Sequence, residues 1–378
     1  MTKFGFLSTY PPTRCGLATF TESLAAAMVG PNDPDASIIR VLDVPVGRPP
    51  ALVGARSVIT ADLIAGDSAS FIAAIDAMNN CDVAIVQHEY GIYGGRDGDE
   101  VVEVLKRVET PCIVVLHTVL ASPSEHQRQV LNEVCELAVA VVVMTEKARE
   151  ILLTTYEVAQ AKVSVIPHGV PIWATDSSRR RQDRRRILTW GLISPGKGIE
   201  WGIRAVAGLA DLTPAVHYIV AGQTHPKVLA YAGESYREML SALVDDLGLN
   251  DSVTLDGRYL DAPQLADLVG GADVVLLPYD SRDQVTSGVL VEAIAAGVPI
   301  VATGFPHAVE LLAGGAGIVA AHEDPTSIAN ALRTVLTVSG VAERMHLAAL
   351  REAQETSWPA VASQYRALAE RLVPARAA

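Results

Sequence analysis

Basic and polar side chains that could bind a ligand stand directly after several short apolar segments. His88 follows the apolar residues 83–86, His117 follows residues 112–116, and Arg14 comes soon after the first apolar segment of the chain. Because open parallel sheets bind ligands outside the carboxyl ends of their strands, we expect these side chains to share one rim. A single histidine at such a place is as often a hydrogen-bonded structural group as a ligand. The prediction of a ligand site therefore depends on several strands ending in polar residues and not on any one histidine.

The second half of the chain repeats this pattern with glycines and polar residues. The segments concerned are Gly191, Gly222–Pro226, Gly257–Tyr259, Pro278–Tyr279 and Thr303–Gly304. Parallel strands often end in such residues merely to turn. Their recurrence in both halves nevertheless predicts two rims, and two rims that face each other form a cleft.

Residues 284–297 have the pattern of a helix that begins at an anion site. Ser287 stands where an N-cap belongs, Gly288 lets a ligand approach the backbone, and the apolar helix that follows stops at Gly297. A helix amino terminus offers free N–H groups and a positive dipole end, which suits a diphosphate without a metal. Lys197, in a neighbouring predicted loop, can supply the countercharge. A serine-capped helix taken alone indicates only a helix.

Two common nucleotide-binding motifs are absent from the sequence. No G-x-G-x-x-G follows a predicted strand, and no G-x-x-x-x-G-K-[ST] occurs. Dehydrogenases and Walker-type kinases are therefore disfavoured. Asp97 and Asp99 imitate a metal-binding D-x-D, but in a glycine-rich loop a turn is the simpler interpretation. No metal site is predicted, because the histidines and acids show no ligand spacing.

Short runs rich in valine, isoleucine and leucine alternate with longer segments rich in alanine, leucine and glutamate. This rhythm is typical of βαβ units that build a parallel sheet. The predicted strands of the first half are residues 3–7, 36–42, 83–87, 112–116, 138–144 and 163–166. Those of the second half are residues 186–190, 217–221, 253–255, 274–277, 299–302 and 317–319. We therefore predict an α/β protein with two similar sheets.

The domain boundaries follow from a polar stretch between the two sets of strands. We predict a first domain at residues 1–173, an arginine-rich linker at 174–186, a second domain at 187–357 and a final helix at 358–378. A block of like charges is usually a solvated segment, although it could also grip an anionic lipid or a phosphate.

Composition narrows the class of protein further. The 378 residues are 49% hydrophobic, which argues against a disordered chain. The net charge of -13 argues against binding of nucleic acid. Four cysteines show no C-x-x-C pair, so free thiols in a reducing, cytoplasmic compartment are expected. No apolar run is long enough to predict a transmembrane segment.

Taken together, these motifs resemble the retaining GT-B glycosyltransferases of family 4. The glycine-rich loop of that family resembles residues 11–16, its interdomain P-N-G-V turn resembles 167–170, and its lysine-glycine loop matches 197–198. Its Glu-x7-Glu element, followed by A-x-G-x-P-V, is similar to 284–300. The resemblance implies two Rossmann-like domains whose parallel sheets face across a cleft, with the final helix crossing back to the first domain.

The same resemblance implies roles for particular residues. A nucleotide sugar, GDP- or UDP-linked, would be bound by Gly16, Lys197, Gly222, Arg258, Tyr259, Leu260, Ser287, Gly288, Val289, Leu290 and Glu292. A saccharide or related acceptor would be bound by Arg14, His88, Glu89, Tyr90 and Tyr93. The catalytic residues would be His117, Lys197 and Gln284. The implied activity is hexose transfer with retention and without a metal or other cofactor.

Two positions depart from the family pattern. Gln284 stands where most members have the first glutamate, and Leu192 stands where they have an arginine that contacts the diphosphate. An altered donor or a catalytically silent nucleotide-binding module would account for these changes. A phosphorylase or an epimerase on the same fold is a further alternative.

Overall fold

The computed structural model describes residues 2–13, 15–30, 32–47, 56–171 and 184–372. The chain divides into two compact units. The amino-terminal unit consists of Met1–Gly169 together with Thr356–Ala378, and the carboxyl-terminal unit is Val170–Glu355. Residues 174–183 of the predicted linker lie outside the described residues, and Arg185 and Arg186 belong to a strand.

The amino-terminal unit is built on a seven-stranded parallel sheet of order β3-β2-β1-β4-β5-β6-β7. Its strands are β1 (Phe4–Ser8), β2 (Ala36–Leu42), β3 (Ser57–Ile64), β4 (Val83–His88), β5 (Cys112–Leu116), β6 (Ala140–Val143) and β7 (Val163–Val165). Its helices are α1 (Gly16–Met28), α2 (Ser68–Asn79), α3 (Glu100–Leu105), α4 (Glu125–Leu137), α5 (Glu146–Thr155) and, from the end of the chain, α14 (Trp358–Leu372). The apolar runs are buried because helices cover the sheet.

The carboxyl-terminal unit repeats the design with a six-stranded parallel sheet of order β10-β9-β8-β11-β12-β13. Its strands are β8 (Arg185–Trp190), β9 (Val216–Ala221), β10 (Val253–Asp256), β11 (Val274–Leu277), β12 (Ile300–Thr303) and β13 (Gly317–Ala320). Its helices are α6 (Ile199–Ala207), α7 (Pro226–Ala232), α8 (Ser235–Asp246), α9 (Ala262–Gly270), α10 (Gly288–Ala295), α11 (Pro306–Leu311), α12 (Pro325–Thr337) and α13 (Val341–Glu355). The predicted α/β class with two parallel sheets is confirmed.

The last helix, α14, completes the core of the amino-terminal unit. Val361 and Tyr365 are buried in one cluster with Phe6 and Phe20, which come from β1 and α1. Burial of this apolar surface is the main force that holds the helix to the sheet. Residues more than three hundred positions apart therefore belong to one core.

One strand, β3, is not among the predicted strands. It pairs only with β2 at the edge of the sheet, and the side chains of its first half alternate between half-buried and exposed. The first half of β3 has no continuous apolar run, because solvent reaches one face of this edge strand. The hydrophobic signal that located the central strands is therefore weak at residues 57–64.

Within the described part of the chain, no helix is both long enough and apolar enough to cross a membrane. The cysteines Cys15, Cys81, Cys112 and Cys135 are all free thiols.

Candidate functional site

Two strand ends of the carboxyl-terminal unit touch through glycines. Gly222, which follows β9, has φ +142, and a Cβ atom there would overlap the carbonyl oxygen of Gly191 at the end of β8. Only glycine tolerates both the backbone angle and this approach. The backbone at these two ends therefore packs closely without side chains.

Lys197 lies in the loop that joins β8 to α6. Gly198 closes this loop in the left-handed region, with φ +59, and it is the N-cap of α6. The loop is held to the chain after β11, because the Asp280 amide donates to the Gly196 carbonyl at 3.0 Å. These contacts fix the backbone from which the lysine side chain extends.

The ammonium group of Lys197 rests on an aromatic ring. Its Nζ atom is 4.1 Å from the centroid of the Tyr279 ring, and that ring stacks on Phe305 at a centroid distance of 5.1 Å. Among the described residues, no carboxylate forms an ion pair with Lys197. The positive charge is thus oriented and not neutralised.

The turn before α10 has the predicted cap. The Ser287 hydroxyl accepts a hydrogen bond from the Leu290 amide at 3.3 Å. The amides of Gly288 and Val289, at the start of the helix, have no acceptor among the described residues. Two donors and the positive end of the helix dipole are therefore available to an anion.

His307 contacts both ends of this turn, and no sequence motif marks it. Its ring Nδ1 accepts from the Ser287 amide at 2.8 Å, and its own amide donates to the Gln284 carbonyl at 3.2 Å. Because Nδ1 is an acceptor, the ring is not doubly protonated in this arrangement. The histidine thereby shapes the loop that carries the cap.

The side chain of Gln284 is engaged within its own loop. Its Nε2 donates to the Thr286 carbonyl at 3.0 Å. The amide oxygen can still accept a hydrogen bond, but it carries no charge. The catalytic role assigned to Gln284 stays a prediction.

Glu292, the fifth residue of α10, is hydrogen-bonded to Trp190. The indole Nε1 donates to the Glu292 carboxylate Oε2 at 2.9 Å. Burial raises the pKa of Glu292, and the hydrogen bond from the indole opposes that rise. One carboxylate oxygen is thus held at the end of β8, and the other remains for a further donor.

The predicted base-binding segment begins with an ion pair. The Arg258 guanidinium, which is mostly exposed, contacts Asp256 through Nη2 at 2.6 Å. This contact lowers the pKa of Asp256. Tyr259 is exposed, whereas Leu260 packs against the core. Arg258 is accordingly neutralised in part before any phosphate reaches it.

In the amino-terminal unit, His117 is held by Gln87. The Gln87 Oε1 lies 2.7 Å from the His117 Nε2, and the histidine ring packs edge-on against Phe20. Burial lowers the pKa of His117 to about 3, and the nearby His168 and His88 act in the same direction. With Nε2 donating to Gln87, the neutral ring offers Nδ1 as an acceptor.

His88 is fully buried at the end of β4, and neither ring nitrogen has a partner among the described residues. Burial lowers its pKa to about 4. Its ring packs edge-on against Tyr90 at 5.1 Å. This histidine therefore occupies the predicted rim as a neutral group with two unused nitrogens.

The side chains of three other residues predicted to bind the acceptor form hydrogen bonds with backbone groups of the chain. The Tyr90 hydroxyl donates to the Gln127 carbonyl, and the Tyr93 hydroxyl donates to the Gln87 carbonyl at 2.6 Å. The Glu89 carboxylate accepts from the Gly91 amide at 2.7 Å. Acceptor binding by these three residues stays a prediction.

The glycine-rich loop is only partly described. Arg14 lies outside the described residues. Gly16 is the first residue of α1, and a Cβ atom there would meet nothing within 4 Å. The backbone at Gly16 is therefore open to approach by a ligand.

The described ranges contain no group of three or more metal-ligating side chains. Asp97 and Asp99 both face His126, whose Nδ1 is 2.8 Å from the Asp97 carboxylate. Asp97 has φ 51, which is uncommon for a residue with a side chain. The D-x-D segment is thus a turn tied to α4.

We expect the buried histidines to make the amino-terminal unit sensitive to acid. An unfolded histidine titrates near pH 6.5, whereas His88 in the fold titrates at about 4, so the unfolded state binds more protons between these values. The free energy of unfolding should fall as the pH drops through this window. At pH 5 the contribution of His88 is a loss of about 2 kcal/mol relative to pH 8.

Urea unfolding of the wild type and of His88→Phe at pH 8 and pH 5 measures this loss. The variant keeps an aromatic ring beside Tyr90 and should lose about 2 kcal/mol less on acidification. An equal loss in both proteins would contradict the assignment of a low pKa to His88.

The two parallel-sheet units give the chain the GT-B fold. The structure of Anabaena Alr3699/HepE in complex with UDP and glucose superposes with a TM-score of 0.78 at 17% identity, covering 98% of this chain and 100% of that one. Residues 184–338 match the family model Glycosyl transferases group 1.

Two relatives have higher sequence identity to this chain than the Anabaena protein has. Both are named D-inositol 3-phosphate glycosyltransferase. The Kineococcus radiotolerans protein is 31% identical over an alignment of 270 residues, and the match covers 65% of this chain and 60% of that protein. The Corynebacterium jeikeium protein is 28% identical over 271 residues, 66% of this chain and 62% of the other. The chain thus spans about three fifths of the length of the curated relatives it matches.

Proposed function

We propose that this protein transfers a hexose from a UDP- or GDP-linked sugar to a saccharide or a related acceptor, with retention at the anomeric carbon. The proposal depends on one observation, the presence of two kinds of free donor in the carboxyl-terminal unit. The Lys197 ammonium has no ion-pair partner, and the amides of Gly288 and Val289 have no acceptor among the described residues. Both features follow adjacent strands, β8 and β11, at the same edge of the sheet. This combination of donors suits a diphosphate.

In the proposed mechanism, the leaving nucleoside diphosphate gains negative charge as the glycosidic bond breaks. Lys197 and the start of α10 stabilise that charge with donors that are already oriented. Glu292 accepts hydrogen bonds from the ribose with the oxygen that Trp190 leaves unused. The acceptor hydroxyl attacks from the face of the departing phosphate, which takes its proton, so no side-chain base is assigned.

His117 is proposed to contact the transferred sugar near the reacting carbon. Its low pKa keeps the ring neutral at pH 7, so Nδ1 accepts a hydrogen bond from a sugar hydroxyl and adds no positive charge beside the reacting centre. His88 and Glu89 are proposed for the acceptor side, together with Arg14, Tyr90 and Tyr93.

A panel of nucleotides tests the donor. At a concentration one hundred times its Kd, the cognate nucleotide should stabilise the fold by about 2.7 kcal/mol and raise the Tm of the unit that binds it by about 5–10 °C. UDP is the first compound to try, because Anabaena Alr3699/HepE was solved with UDP and glucose. GDP, its sugars and ADP complete the panel. A panel in which no nucleotide raises the Tm would refute the proposed donor class.

Transfer itself is tested with the winning nucleotide sugar, with and without EDTA. We propose that no metal is needed, so the rate should be the same in both. D-inositol 3-phosphate belongs in the acceptor panel, since it appears in the names of the relatives. The anomeric configuration of the product, read by NMR, tests retention.

A catalytically silent nucleotide-binding module is the second candidate. It is favoured by one observation, the engagement of the Gln284 amide with the Thr286 carbonyl in place of a charged side chain. Tight nucleotide binding with neither transfer nor hydrolysis of the sugar would support it. Turnover that requires inorganic phosphate would instead indicate a phosphorylase.

We also propose a cytoplasmic location. The support is the set of four free thiols, which persist in a reducing compartment. Oxidation of these thiols in the protein isolated under non-reducing conditions would argue against it.

A further inference from the structure

Tyr279 contacts Lys197 of the proposed phosphate site but has no assigned role in it. It follows β11 by two residues and is only 1% exposed. One face of its ring stacks on Phe305 with an interplanar angle of 23°, and the Lys197 ammonium lies over the ring at 4.1 Å. The ring is therefore a layer between the core and the lysine.

The backbone of Tyr279 is anchored at several points. Its carbonyl accepts from the Thr303 hydroxyl at 2.6 Å and from the His322 Nδ1 at 2.9 Å. The next amide, that of Asp280, donates to Gly196 in the loop of Lys197. The ring and the lysine loop are thus held in one fixed relation.

The hydroxyl group of Tyr279 takes no part in this arrangement. It is buried, and it has no hydrogen-bond partner in the described part of the chain. Since a buried hydroxyl without a partner stabilises nothing, the useful part of the side chain is its ring. Phenylalanine at this position should therefore perform the same task.

An aromatic ring can hold an ammonium group without cancelling its charge. A carboxylate in the same place would form an ion pair and compete with the diphosphate for Lys197. The face of a ring attracts a cation through its quadrupole, and the attraction is strongest where water is excluded. The lysine is thereby ordered before the ligand arrives, which removes part of the entropic cost of binding.

We propose that Tyr279 is a positioning residue that holds the Lys197 ammonium ready for the diphosphate of the donor. The inference rests on the proposed function, because it assumes that Lys197 binds that diphosphate. Part of the affinity for the nucleotide then comes from Tyr279, which acts through Lys197 and need not contact the nucleotide.

A double-mutant cycle tests the proposal. Calorimetry measures the Kd for UDP, or for the nucleotide that raises the Tm most. The proteins compared are Tyr279→Leu, Lys197→Met and the double variant. Tyr279→Leu should weaken binding by about 3- to 30-fold. In the Lys197→Met background the same change should alter the Kd by less than about twofold, because the ring then has no cation to hold. Tyr279→Phe should restore the affinity that Tyr279→Leu loses.

A series of fluorinated phenylalanines tests the same proposal without the risk that Tyr279→Leu unfolds the protein. Phenylalanine with one, two or three ring fluorines at position 279 keeps the shape and progressively weakens the attraction of the ring for a cation. The Kd should rise stepwise with fluorination in the wild-type background and stay flat with Lys197→Met. A flat series in both backgrounds, or equal losses in both, would overturn the proposal.

Failure of the proposed function has a different signature. If Lys197→Met binds every nucleotide as the wild type does, the lysine is not a diphosphate ligand and the function itself is wrong. If Lys197→Met weakens binding while neither Tyr279→Leu nor fluorination does, the function stands and the role of Tyr279 is refuted.

Discussion

Replacement of Lys197 by alanine should lower kcat/KM for the nucleotide sugar by about 100-fold or more. The wild-type ammonium has no carboxylate partner among the described residues, so its full charge is available to the leaving diphosphate. A hydrogen bond to a charged group contributes about 1.5–3 kcal/mol, and the contribution grows where charge develops in the transition state. Leu192, in the same loop, adds no positive charge beside it.

Steady-state kinetics with the nucleotide sugar varied at saturating acceptor measure this effect. The matched control is Lys147→Ala, which removes a lysine from an exposed pair with Glu150 in the other unit. Its kcat/KM should stay within about twofold of the wild type, because an exposed ion pair contributes little. A Lys197→Ala enzyme with turnover unchanged within a factor of about two would remove the lysine from the mechanism.

Gly198→Ala should destabilise the carboxyl-terminal unit by about 3 kcal/mol or more and abolish nucleotide binding. Gly198 has φ +59, a region that costs a residue with a side chain about 1–2 kcal/mol. A Cβ atom there would also overlap the carbonyl oxygen of Pro278, which is main chain and cannot move aside. The loop that carries Lys197 would have to shift away from β11 and Tyr279.

Gly196, in the same loop, is the control for the backbone angle alone. It has φ +86, but a Cβ atom at this position would meet nothing within 4 Å. Gly196→Ala should therefore cost only about 1–2 kcal/mol. Urea unfolding gives both values, and calorimetry gives the nucleotide affinity. Equal effects of the two substitutions would show that the approach to Pro278 does not constrain the loop.

The central strands and the cap at Ser287 could be predicted because their signals are local. Buried parallel strands need apolar side chains on both faces, so each appears as an apolar run, and the predicted strands agree with the structure to within one or two residues at most ends. An N-cap is decided by a side chain and an amide three residues apart, as Ser287 and Leu290 show. The half-exposed edge strand at 57–64 lacked such a signal.

The contacts that organise the site could not be predicted, because they join residues far apart in the chain. Trp190 and Glu292 are 102 positions apart, and Gln87 and His117 are 30 apart. The place of Lys197 over Tyr279 depends on the order of β8 and β11 in the sheet. The hydrophobic pattern sets which segments are strands, but it does not set which side chains meet at their ends.

The sequence by itself determined two parallel α/β sheets, the residues that end their strands and the capped helix that presents free amides. Each of these follows from interactions within a few residues or from the burial of an apolar run. Only the tertiary structure decided which of those ends carry usable charge. The charge of Arg258 is neutralised in part by Asp256, His88 and His117 are neutral through burial, and Lys197 keeps its charge on an aromatic ring. Charge and protonation depend on what surrounds a group in space, and that is set by packing.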